Sequence, residues 1–251
     1  MTLLNVERIK LFSTRSPYWC VALILIIGVG VSILFGATAS DSSITLSNSQ
    51  FWANLGMMVA MVMAALAITT EYRFGTIRNS VLAVPKRGSV LAAKTIVVAL
   101  ISAVMGLITS IIAYYLVLTI GGNHNGQMDI STSGDWRVLL GNTVIFALAA
   151  VIAVAVGTLV RQSAGAIAIL LLWPLLVESI IGAFGKTGRN ISEWLPFSAG
   201  SRFTQAANPQ IEGEDLVSTS APNWWQGLVV FALTALVLWI IALVVLKRRD
   251  A

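Results

Sequence analysis

Six stretches of this chain are apolar for long enough to cross a lipid bilayer. They fall at residues 18–39, 51–70, 90–120, 136–160, 164–184 and 225–246. A helical crossing takes about 20 residues. With no water in the hydrocarbon, each segment must satisfy its own backbone polar groups, which for runs of this length means helix. Composition agrees: 57% of residues are hydrophobic and 11% charged, against roughly 25% charged in a soluble domain. The expected fold is therefore all-α and polytopic, a single transmembrane domain over residues 1–251 with six transmembrane helices. The third run, roughly 46 Å long as helix, exceeds the hydrocarbon thickness and has to tilt or project into water.

Charge sets an orientation. With the N-terminus in the cytoplasm, twelve of the sixteen basic residues fall on cytoplasmic segments, beside three acids, Glu7, Glu71 and Asp250. The other side then holds Arg137, Lys186, Arg189 and Arg202 with eight acids. This is a positive-inside bias with both termini cytoplasmic. The basic pI of 9.7 is thereby accounted for by topology, with no nucleic-acid partner implied. Residues 1–17 read as a cytoplasmic interfacial segment, and residues 185–224 as an extracytoplasmic loop. Tryptophans 19, 52, 136, 224 and 225 all lie at span ends, where an amphipathic ring is expected at the membrane–water interface.

Soluble chemistry finds no foothold. Cys20 is the single cysteine and His124 the single histidine, so neither a disulfide nor a Cys/His metal site can form within the chain. Gly185-Lys186-Thr187 ends like a phosphate-binding loop, but Ile180 stands where its first glycine belongs. Among polar residues at membrane depth, Glu178 stands out. Pro174, four residues earlier, should kink the fifth span and free backbone carbonyls. Two readings follow: a polar group on a substrate path, or an acid paired with Arg189 or Arg202. Small residues repeat every fourth position at Gly56-Ala60-Ala64 and at Ala149-Ala153-Gly157. Such stripes let helices approach closely, either within the chain or at a dimer seam.

The most ordered loop is the most basic. Thr69–Lys94, TTEYRFGTIRNSVLAVPKRGSVLAAK, carries five basic residues and one acid. Thr76 is a candidate N-cap. Ile77, Val81 and Val84 share one helical face, Pro85 stops the helix, and Gly75 permits a sharp turn before it. A short amphipathic helix at the membrane face suits a soluble partner or anionic lipid.

At this stretch the chain resembles type-2 ABC-transporter permeases. Glu71, Tyr72, Gly75, Thr76 and Arg78 match that family's Glu-aromatic-x-x-Gly-Thr-x-Arg pattern at the end of the second span, followed by Pro85, Lys86, Arg87 and Lys94. The N-terminal NVERIKLFSTRSPYW is similar to the family's elbow helix, with Ile9 in place of the usual aromatic and a stripe of Val6, Ile9 and Phe12. ISEWLPF resembles its outer re-entrant segment. The resemblance implies a permease without a catalytic site of its own, in the bacterial cytoplasmic membrane. It would pair with a second six-helix permease, identical or not, above two separate ATPase subunits that bind ATP and magnesium. Residues 71–89 would be the coupling loop, with Glu71, Tyr72, Arg73, Gly75, Thr76, Ile77, Arg78 and Val81 forming the coupling site. Glu178 and Pro174 would belong to the substrate path. The alternatives are a stand-alone secondary transporter or channel, which would need several functional charges in mid-membrane, and a sensor or immunity complex of the same family.

Overall fold

The computed structural model describes residues 3–75, 87–123, 126–205 and 221–249. Thr76, Ile77, Arg78, Val81, Val84, Pro85 and His124 lie outside them. The described residues contain helices and no strand. Six helical segments are long and apolar enough to cross a membrane: Ser16–Thr38, Leu46–Arg73, Gly88–Gly121, Ser133–Val160, Ser163–Ala183 and Trp224–Arg248.

Helix α1 (Leu3–Ser13) turns at Thr14–Arg15 into α2 (Ser16–Thr38), whose first turn contains Pro17. Proline is preorganised for that position. The short α3 (Leu46–Ser49) is capped by Thr45 and leads into α4 (Ala53–Arg73). Beyond α4, Gly75 takes φ +68°, a left-handed turn that glycine makes without a Cβ penalty. The third crossing is α5 (Arg87–Gly121) and the fourth α6 (Ser133–Val160). A capping box starts α6: Thr132 Oγ1 accepts from the Asp135 N–H, and Asp135 accepts from the Thr132 N–H at 2.7 Å. The fifth crossing is broken into α7 (Ser163–Leu172), a π-helical turn at Trp173–Val177 and α8 (Glu178–Ala183). Two short helices follow, α9 (Gly185–Ser192) and α10 (Pro196–Phe203), and then the last crossing, α11 (Trp224–Arg249). Residues 185–203 are thus largely helical, and the Gly185-Lys186-Thr187 triplet opens α9.

Helix α6 occupies the centre, packed against α4, α5 and α11. Both small-residue stripes meet inside the chain. Ala60, Ala64, Ala149 and Ala153 are fully buried, and a Cβ on Gly157 would lie 2.5 Å from Ile68 Cγ2. The stripes are the α4–α6 contact of one subunit. Gly157→Leu should therefore overpack this seam by about 1–3 kcal/mol. The readout is a lower unfolding temperature in detergent with unchanged oligomeric state; a changed oligomeric state at unchanged stability would contradict the internal seam.

Trp52 departs from the interfacial role its position suggested. It is fully buried, its ring centroid 5.8 Å from that of Phe146. Gly56, one turn along, leaves the room: a Cβ there would fall 2.6 Å from the indole. Trp19, Trp136, Trp224 and Trp225 are at least half exposed. Nearby, Asn142 donates to Gln50 Oε1 at 3.1 Å and to Ser110 Oγ at 3.0 Å, all three residues being buried. Each satisfied bond offsets the desolvation of groups placed in an apolar interior. This network ties the α3–α4 turn to α5 and α6.

Candidate functional site

The charges that sequence places apart along the N-terminal segment and the two ends of the basic loop converge in space. Lys94 Nζ, from the second turn of α5, lies 2.6 Å from Glu7 Oε2 on α1 and 3.0 Å from Glu71 Oε1 on α4. Lys10 Nζ, one turn beyond Glu7 on α1, lies 3.1 Å from Glu7 Oε1 and 3.6 Å from Glu71 Oε1. The result is a ring of two carboxylates and two ammonium groups with no net charge. Glu7, Lys94 and Glu71 are 3%, 5% and 9% exposed. Charges this buried persist only when paired. Burial alone would lower the Lys10 ammonium, but the charges of Glu71 and Glu7 overcome it and hold Lys10 above the ordinary lysine value. Its contribution is thus fully present below that ordinary value and lost only as pH climbs through the raised one, far above neutrality.

The geometry of α1 explains how an amphipathic-looking helix comes to bury an acid. Glu7 and Leu11 face inward. Of the apolar stripe, Ile9 and Phe12 are 54% and 37% exposed and Val6 is half-buried, so the stripe faces away from the helices that hold Glu7. The ion-pair ring therefore pins α1 to both helices that bound the basic loop.

The other described loop residues gather around the same end of α4. Arg161 lies 5.0 Å above the Tyr72 ring. Arg161 is the C-cap of α6 with φ 60°, its N–H donating to Gly157 O, so the α6–α7 turn grips the end of α4. Ser163 adds a hydrogen bond from its Oγ to Thr69 Oγ1 at 2.9 Å. Arg73 and Phe74 are exposed, the guanidinium 5.7 Å from the ring. Glu71 thus points into the protein while Arg73 points out of it.

Glu178 is 5% exposed and meets neither arginine of the ion-pair reading. Its Oε1 accepts from the Phe197 N–H at 3.0 Å. Its Oε2 accepts from the Ser198 N–H at 2.7 Å and from Ser198 Oγ at 2.6 Å. These amides open α10, which starts with Pro196 and has no side-chain cap from Leu195. Glu178 supplies the missing cap from another helix, placing negative charge where the helix dipole is positive. Arg202 pairs instead with Glu193 at 3.1 Å. Pro174 lies within the π-helical turn, where the Glu178 N–H reaches back to Trp173 O. That wider turn takes up carbonyls a proline would otherwise leave unpaired.

Sequence reasoning singled out Glu71 and passed over Glu7, Lys10 and Lys94 as its partners. The available signal was that Glu7 and Glu71 are lone acids in strongly basic segments. Among the described residues no three His, Cys, Asp or Glu side chains come together as a metal site.

The sequence matches the family described as "ABC-2 family transporter protein" over residues 3–176. No curated protein matches it. The matched region runs from α1 through the first turns of the fifth crossing, and so contains every member of the ion-pair ring.

Proposed function

This chain belongs to the ABC-2 transporter family, and on that footing we propose that it is the transmembrane subunit of an ATP-driven exporter. It forms the substrate path with a second six-helix permease. Separate ABC ATPase subunits bind its basic loop and supply ATP hydrolysis with magnesium; the chain itself carries no catalytic site. The loop and both termini face the cytoplasm, where ATP is, in agreement with the distribution of basic residues.

The observation that carries this reading is the ring of Glu7, Lys10, Glu71 and Lys94. A push on the loop reaches α4 and α5 first, and the ring joins both to α1, so the three elements move as a unit. Glu71 acts within the chain as a positioning residue. Arg73 and Arg78, with the apolar face of Ile77 and Val81, meet the ATPase, and Tyr72, Gly75 and Thr76 shape the approach. The fifth and sixth crossings are each only 17% buried and offer apolar surface for the second permease. A proton-coupled carrier fits less well. The three buried acids among the described residues, Glu7, Glu71 and Glu178, are each engaged by cations or amides, leaving no free carboxylate to carry protons through the described spans.

Reconstitution in vesicles with and without a co-expressed ABC ATPase tests the reading. Transport should require both subunits and ATP; gradient-driven transport by this chain alone would refute it. Arg73→Ala with Arg78→Ala should weaken co-purification of the ATPase about tenfold, taking two interface charge contacts at roughly 0.5–1 kcal/mol each. Unchanged co-purification would remove these residues from the interface.

A further inference from the structure

We propose that the cleft beneath the α1–α2 elbow binds one anionic phospholipid. This goes beyond the exporter reading and does not depend on it. The cleft measures about 530 Å³ and lies between the elbow and the α5-facing end of α4. Its walls change character with depth. At the membrane face it is bounded by Lys10, Arg15, Lys94 and Glu71, three cations and one acid. Deeper along α4 the lining passes through Thr70 and Ala67 to Leu66 and Met63. Met63 to Thr70 spans about 10 Å of helix, the reach of the first several methylenes of an acyl chain. Charge above hydrocarbon is the layout of a phospholipid. A soluble anion would leave the lower wall uncovered, and a neutral hydrocarbon would leave Arg15 unused.

Arg15 is the group left over. Lys10 and Lys94 are committed to Glu7 and Glu71, whereas Arg15 is exposed and forms no ion pair among the described residues. It sits at the N-cap of α2 and lines the mouth of the cleft. A phosphodiester there accepts charge-assisted bonds from the arginine. Basic pockets between transmembrane helices are general sites for anionic headgroups. The neighbouring surface already meets the bilayer: Phe12 and Tyr18, with ring centroids 5.7 Å apart, are 37% and 56% exposed beside the cleft.

The test uses the full chain purified in detergent, read by native mass spectrometry and by unfolding temperature. Phosphatidylglycerol, phosphatidylcholine and, separately, an excess of glycerol phosphate are added. One phosphatidylglycerol should be retained per chain and should raise the unfolding temperature with concentration, as a ligand of the folded state does. Phosphatidylcholine and glycerol phosphate should do neither. Arg15→Gln should weaken phosphatidylglycerol retention about fivefold, and Ala67→Phe, which fills the apolar end, should abolish it. Both variants are checked for native elution and helix content. Equal retention of the two lipids, an equal effect of glycerol phosphate, or native-like retention in folded Ala67→Phe would each overturn the proposal. The wild-type lipid comparison decides even if a variant does not fold.

Discussion

Lys94→Met should lower the stability of the folded chain by about 3–5 kcal/mol, the cost of removing one partner from a buried ion pair. Methionine keeps the length and flexibility of the lysine stem, so packing around α5 is largely preserved and the loss is electrostatic. Without Nζ, Lys10 is the ring cation left to the carboxylates of Glu7 and Glu71, and its side chain is 36% exposed. The two acids then face one another across a largely buried space, and solvent can reach only one side of it. Removing all the buried charges of the ring, so that only the part-exposed Lys10 remains, should behave differently. Glu7→Gln, Glu71→Gln and Lys94→Met combined should recover most of the lost stability, because a buried pair is worth little net of its desolvation. The measurement is the unfolding midpoint of the single and triple variants in one detergent. A single variant as stable as the wild type would show that the ring does not hold α1 to the bundle. The triple variant then carries the functional question: if it is folded and inserted but no longer supports the proposed ATP-dependent transport, the charges serve the movement of the helices and not only their assembly.

The six crossings were legible because hydrocarbon imposes its demand on long contiguous segments, and a run of apolar residues states it without reference to any partner. What one segment does to another was less legible. The small-residue stripes on α4 and α6 announced close approach, but their meeting within one chain depends on Gly157 facing Ile68 and Gly56 facing Trp52 and Phe146, a matter of rotation about the helix axis. Trp52 misled for the same reason, since its place at a span end is a one-dimensional fact and its burial a three-dimensional one. The coupling site was read from a local pattern, and of it Glu71, Tyr72, Arg73 and Gly75 fall among the described residues. The ion-pair ring behind it joins residues 7, 10, 71 and 94. No spacing rule links positions so far apart; only the excess of cations around two lone acids pointed to them. The break in the fifth crossing was foreseeable from Pro174, while its form, a π-helical turn that aims Glu178 at α10, follows from where α10 packs.

Glu178→Gln should cost about 2–4 kcal/mol and act first on helix α10. The substitution changes almost no volume, so its effect isolates hydrogen-bond polarity. The carboxylate accepts three bonds, one at Oε1 from Phe197 and two at Oε2 from Ser198. An amide can accept with its oxygen only. Whichever way the glutamine is turned, its NH2 faces a donor, so at least one α10 amide loses its partner, and the negative charge at the helix N-terminus is gone. Bonds to a charged group are worth about 1.5–3 kcal/mol each, and a buried donor left unpaired costs about 1–3 kcal/mol. Ser198→Ala provides the graded comparison, removing the hydroxyl bond but leaving both amides capped, and should cost about 1 kcal/mol. Hydrogen exchange over residues 196–203 is the direct readout: protection should fall strongly in Glu178→Gln and slightly in Ser198→Ala, with α2 and α5 unaffected. Transport should fall in step with that loss of protection. If Glu178→Gln instead abolishes transport while the exchange of α10 stays at the wild-type level, the carboxylate acts on the passing substrate and its role as a cap is secondary.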